Sequence, residues 1–201
     1  PDEVVFSINF SSAASLVLEG LSWPDGAEVI ITDQEHPALL IPLLNIARRR
    51  GLIIRRLAVS HDPSAMLTNL QALLSDRTAL IAMSHVTTET GDRLPVQEIS
   101  RLARQAGALI LYDGAQSFGQ FPVDVRAIDC DFYLVVGYKW AFGPHPSAAL
   151  YLNRDRLNDV EVTWTGSYAA SPSSIDMDSL TFVPSARRFE FGGRPWSYEA
   201  G

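Results

Sequence analysis

ALILYDGAQS, residues 108–117, runs through five apolar-leaning residues without a break and turns polar at Asp113. A strand with one wet face alternates apolar and polar side chains, so an unbroken run suits a strand covered on both faces. ALIAM at 79–83 has the same character. Between them, 95–106 places Val96, Ile99, Leu102, Ala103 and Ala106 on one face of a helix and stops at Gly107. Strand, helix and strand in that order imply parallel pairing in a sheet layered between helices.

The alternation continues outward in both directions. Upstream, 4–8, 28–32, 52–59 and 78–84 read as strands, and 11–20 and 37–50 as helices, the latter stopping at Gly51. Asp62-Pro63 supplies a cap and a first-turn proline for a helix with Met66, Leu67, Leu70, Leu73 and Leu74 as its stripe. Arg48, Arg49 and Arg50 suit the negative end of the preceding helix dipole. Downstream, 132–136 is a strand leading into Gly137, Tyr138 and Lys139, and a second apolar run spans 148–152. The Ser-rich stretch 160–184 is weakly patterned and reads as a long loop. The expected fold class is α/β, a three-layer α/β/α arrangement around a mainly parallel sheet.

At 201 residues, 47% hydrophobic, the chain can bury one sizeable core. Net charge is −7, which disfavours nucleic acid as a partner. No apolar run is long enough to span a bilayer. A lone cysteine, Cys130, excludes an internal disulfide and fits a reducing compartment such as the cytoplasm. The first residues enter an apolar run at once and the last read as the start of something, so the chain is expected to belong to a larger architecture.

In parallel sheets, ligands bind beyond the carboxyl ends of the strands. The polar residues there are Asn9-Phe10-Ser11, Glu35-His36, His85 to Glu89, Asp113 to Ser117 and Tyr138-Lys139. No G-x-G-x-x-G or P-loop pattern occurs, no G-x-S-x-G, and the histidines and cysteine lack metal-ligand spacing. Of 16 basic residues, only Lys139 is not arginine. An amine kept at a strand end, flanked by Tyr138 and Trp140 that shield it from water, can condense with a carbonyl. The commonest such partner is pyridoxal phosphate. Its ring nitrogen needs a carboxylate, for which Asp113 is placed; its phosphate needs donors, as at the 11–16 helix start; its face needs a flat group, such as His36. Taken singly, each has a plainer reading. Asp113 can cap a turn, His36 can be a loop histidine, Ser11-Ser12 an N-cap, Gln116 a surface amide, Tyr138 and Trp140 core aromatics, and Lys139 a snorkelling side chain.

DQEHPA at 33–38, SHVTTETGDRLPV at 84–96, ALILYDGAQSFGQFPVDV at 108–125, CDFYLVVGYKWAFGP at 130–144 and RRFEFGG at 187–193 together resemble the class V, cysteine desulfurase-like branch of fold-type I pyridoxal phosphate enzymes. The resemblance implies the large domain of that fold over 1–193, without its usual N-terminal segment, and the start of an otherwise absent small domain at 194–201. It implies that Lys139 forms the internal Schiff base and acts as the base at the substrate's α-carbon. Asp113 would pair with the pyridine nitrogen, Gln116 would lie near the phenolic oxygen, and His36 would stack on the ring. Phe10, Ser11 and Tyr138 would hold the phosphate. Thr88 stands where relatives often have Asn, Val136 where Ser is common, and Gly193 where many have Thr, so some cofactor contacts are weakened or changed. Tyr138 before the lysine is more similar to isopenicillin N epimerase-like members than to housekeeping desulfurases, which usually place His there. The implied function is a transferase or lyase acting on an amino acid, as a homodimer, with transamination, epimerisation, elimination and sulfur transfer all open. A catalytically silent core serving as a binding or dimerising module is the alternative.

Overall fold

Each unbroken apolar run becomes a strand of one sheet in the computed structural model, which describes residues 2–175 and 179–191. In chain order the elements are β1 (Val4–Ser7), α1 (Phe10–Gly20), β2 (Glu28–Thr32), α2 (Pro37–Arg50), β3 (Ile53–Leu57), α3 (Pro63–Leu73) and β4 (Thr78–Ser84). After these come α4 (Val96–Ala106), β5 (Leu109–Asp113), the short α5 (Val125–Ile128), β6 (Phe132–Val136) and β7 (Ala148–Leu152). The sheet order is β1-β7-β6-β5-β4-β2-β3. β3, β2, β4, β5 and β6 are parallel neighbours, and β7 runs antiparallel between β6 and β1. The mainly parallel, three-layer α/β/α fold expected from the run pattern is the observed one.

Period-2 alternation sorts the strand side chains into two cores. Val29, Ile31, Leu80, Ala82 and Leu111 face α1 and α2, meeting Val17, Leu18, Leu39, Leu43 and Ile46. Ile30, Ile81, Met83, Ile110 and Tyr112 face the other way, onto Met66 and Leu70 of α3 and Ile99, Leu102 and Ala103 of α4. Asp62, Gly51 and Gly107 cap as expected, whereas α1 begins at Phe10 and is capped by Asn9 rather than by the serines at 11–12. The Asn9 and Asp62 side chains accept N–H groups of Ser12 and Ser64, each at 2.9 Å, and Gly51 and Gly107 close α2 and α4 in the left-handed conformation.

At the amino end of the strands, Asp131 is fully buried. It accepts from Arg104 at 2.7 Å, Arg156 at 2.9 Å and the Ile110 N–H at 2.7 Å. These bonds satisfy a charge that would be prohibitive alone.

The reading of 160–184 as a loop needs correction. Ala170–Ile175 (β8) pairs antiparallel with Leu180–Phe182 (β9) in a separate two-stranded sheet. Main-chain pairing defines this ribbon, and its serine-rich sequence offers no apolar alternation for a periodicity reading to find. The strand expected over 52–59 is shorter, Ile53–Leu57. Gly193 and the expected small-domain start at 194–201 lie outside the described residues.

Candidate active site

Register brings the strand ends to one edge. Ser84 lies opposite Asp113, Asp113 opposite Leu134, and Val136 and Ser7 both lie opposite Ala148. The turns leaving β1, β2, β4, β5 and β6 therefore carry Phe10-Ser11, Glu35-His36, Thr88, Asp113 with Gln116, and Tyr138-Lys139 along one rim.

Asp113 is buried, and burial pushes its carboxyl up to about 7. The Ala115 N–H, donating to Oδ1 at 2.8 Å, and the charge of Lys139 pull it down, while Glu35 pushes it up. Burial lowers the pKa of His36, and Lys139 lowers it further. One ammonium thus acts on both groups expected to flank a cofactor ring. His36 Nδ1 accepts the Ala38 N–H at 3.1 Å, capping α2, so the neutral ring carries its proton on Nε2. Lys139 itself is half-buried rather than sealed off. The shielding expected of Trp140 is incomplete, because that ring is 43% exposed and its Nε1–H is turned to Gln116 Oε1 at 2.9 Å. Gln116 Nε2 in turn lies 3.5 Å from Thr88 Oγ1. Gly119, at φ 89°, lets this loop approach: a Cβ there would meet the Trp140 carbonyl carbon at 2.6 Å.

At the start of α1 the Asn9 carboxamide takes the Ser12 N–H, while the N–H groups of Phe10 and Ser11 have no acceptor among the described residues. That is the donor set of an anion site. The Ser11 hydroxyl donates to the Ala38 carbonyl at 3.1 Å, so the backbone is the freer donor there. Tyr138 packs at 4.3 Å between centroids against His145.

Sequence reasoning placed Glu35, His85 and Ser117 among the polar residues beyond the strands but assigned them no supporting role, and it did not single out Tyr133. Glu35 is buried, which raises its pKa, and it bridges strands by accepting from Thr32 Oγ1 at 2.5 Å and Ser84 Oγ at 2.9 Å. Its signal was a carboxylate placed three residues after the strand run 28–32. His85 Nδ1 lies 2.6 Å from the Tyr133 hydroxyl, which lies 2.6 Å from Ser117 Oγ; Ser117 donates to the Gly114 carbonyl. Ser117's one proton goes to Gly114 and Tyr133's to Ser117, so His85 carries its proton on Nδ1. Burial, then the nearby Arg93, lowers His85 to about 4, and its Nε2 is a buried lone pair without a partner. This chain underpins the turn after Asp113. Cys130 is buried, its thiol pushed up to about 12 chiefly by burial, as expected of a core residue. Among the described residues no cluster of His, Cys, Asp or Glu is arranged to hold a metal.

Comparison with known proteins gives this geometry a context. The family model described as aminotransferase class-V matches residues 1–200. The chain is 34% identical over 197 residues to a cysteine desulfurase of Cronobacter sakazakii, covering 96% of this chain and 48% of that one. It is 34% identical over 205 residues to a cysteine desulfurase of Salmonella typhi, covering 100% and 47%. The chain spans about half the length of the curated relatives it matches. Among solved structures it is similar to the cystine C-S lyase C-DES in complex with its product cysteine persulfide, at 28% identity and a TM-score of 0.90, covering 100% and 54%. A lysine-to-alanine mutant of C-DES with glycine covalently linked to the PLP cofactor matches at 28% and 0.89, covering 100% and 53%. The apo cysteine desulfurase of Thermococcus onnurineus matches at 26% and 0.89, covering 98% and 49%. These matches speak for the family and leave the epimerase-like branch, read from Tyr138 alone, as a sequence expectation. With a match along its whole length and a shared fold, the chain belongs to the class-V aminotransferase family.

Proposed function

We propose that this chain is the cofactor-binding part of a pyridoxal phosphate-dependent enzyme acting on an amino acid, with Lys139 as the residue that holds the cofactor. The observation that carries the reading is the convergence of Lys139, Asp113 and His36 at one rim, where a single ammonium perturbs both other groups. The residues present fit the group. Asp113 is a buried carboxyl with a raised pKa and no cation hydrogen-bonded to it, which a protonated ring nitrogen would satisfy. Phe10 and Ser11 offer N–H groups to a phosphate, and His36 offers a flat neutral ring held by its bond to Ala38. When bound, the cofactor supplies an electron sink for negative charge at the substrate's α-carbon. Asp113 would keep the ring nitrogen's proton in place, Gln116 and Thr88 would position the cofactor's other polar edge, and Lys139 Nζ would take the α-proton.

Among the open outcomes, the relatives favour cleavage at a carbon–sulfur bond. Cys130 is buried and held as a neutral thiol, so it is not placed to receive sulfur itself, and the curated relatives support the desulfurase outcome. Exposed Phe118, Trp140 and Phe142 beside the rim support association of two copies. Lys139→Ala should abolish the yellow colour of cofactor-loaded protein. Absorbance measured after cofactor loading and dialysis checks this; colour retained at wild-type intensity contradicts the assignment of the lysine.

A further inference from the structure

Two cavities meet at the hydrogen-bonded pair Gln116–Trp140. One, of about 280 Å³, is lined by Gln116, Lys139, Trp140 and Phe142. The other, of about 410 Å³, continues past the shared pair to Thr88, Arg93 and Phe121. Arg93 stands in the second cavity with its guanidinium 4.2 Å from the centroid of Phe121. This cation–π contact leaves the N–H groups of the fork without a hydrogen-bond acceptor among the described residues. Among the described residues no aspartate or glutamate lines this cavity. The adjacent Asp92 is already engaged by His61 at 2.6 Å and Thr90 at 2.5 Å. Among the described residues Arg93 makes no ion pair, whereas Arg77, Arg104, Arg126, Arg154 and Arg156 each do. In a chain of net charge −7, a cavity whose only charged side chain among the described residues is positive is set apart from the surface around it.

We infer that Arg93 receives an anionic group at the far end of the substrate's side chain, so that the preferred substrate class is amino acids bearing a second carboxylate or similar anion beyond the β-carbon. The inference rests on Lys139 marking the reacting end. Arginine pairs with a carboxylate through two parallel N–H bonds, which neither an amide nor a methyl can accept equally. The Thr88 hydroxyl and the Gln116 amide line the path between the two ends. Arg93 is a specificity residue in this scheme and takes no part in bond breaking.

The test is calorimetric titration of the full-length, cofactor-loaded protein with S-carboxymethylcysteine and with its amide, S-carbamoylmethylcysteine, which differ in charge but hardly in size. The wild type is expected to bind the acid about tenfold more tightly than the amide, the factor typical of one charge-assisted pair. Arg93→Leu should erase that preference while leaving the amide's affinity within about threefold, and Arg93→Lys should keep part of it. Equal affinities in the wild type, or a preference that survives in Arg93→Leu, would overturn the inference. The same titrations on cofactor-free protein separate the two readings: a carboxylate preference lost with Arg93 stands even where Lys139 proves not to hold the cofactor.

Discussion

At Asp113 the fold holds a carboxyl where solvent cannot stabilise its charge. An ordinary aspartate loses its proton near 3.8; burial moves this one to about 7. Between those values the folded chain binds more protons than the unfolded one, so this group makes stability fall as pH rises. Glu35, also raised by burial, pushes the same way. His85 acts oppositely: neutral in the fold, it contributes stability that is present above its ordinary value of 6.5 and lost as pH falls toward about 4. Comparing Asp113→Asn with wild type cancels the Glu35 and His85 contributions to first order and isolates the aspartate. In cofactor-free protein the variant should gain on the wild type, by on the order of 4 kcal/mol, as pH goes from about 4 to 7. Urea unfolding across that range measures it, and a difference independent of pH would show that Asp113 titrates normally. On the proposed reading, that gain is the strain a cationic ring nitrogen would relieve on binding.

At the scale of elements, Asp131 ties the start of β6 to α4 through Arg104, to β5 through the Ile110 N–H, and to the turn after β7 through Arg156. Replacing it with Ala removes the buried acceptor of two partly buried guanidinium groups, Arg104 keeping Asp129 and Arg156 keeping Asp159, and of the Ile110 N–H. The expected loss is about 3–5 kcal/mol, read as a lowered denaturant midpoint with an unchanged slope. A loss under about 1 kcal/mol would mean that water replaces the carboxylate at no cost. The strands and helices themselves were legible in the chain because two-sided burial leaves an unmistakable mark. The sequence bounds 28–32, 37–50, 78–84 and 132–136 coincide with β2, α2, β4 and β6. The β8–β9 ribbon left no such mark, since main-chain pairing defines it and its serine-rich sequence lacks apolar alternation. The antiparallel insertion of β7 between β6 and β1 was equally silent, because an apolar run states that it is buried and not which way it points.

Over the whole molecule, a sheet with helices on both faces leaves one rim where turns from five strands can meet, and the chemistry-bearing residues collect there. The sequence contained that placement for Asp113, which follows an apolar run directly, and for His36 and Lys139, which follow theirs within four residues. It did not contain Arg93's place in the second cavity, the Gln116–Trp140 contact or the His85–Tyr133–Ser117 chain. Those depend on how loops from different strands pack, which periodicity does not encode. Among the described residues no helix is long and apolar enough to cross a membrane. The rim is therefore the feature on which the functional reading turns, and the lysine is the feature on which the rim turns. Borohydride reduction of the cofactor-loaded full-length protein, followed by proteolysis and mass spectrometry, locates the amine that holds the cofactor. The account predicts a phosphopyridoxyl adduct on the peptide containing Lys139; an adduct confined to another peptide, or none at all, would contradict it.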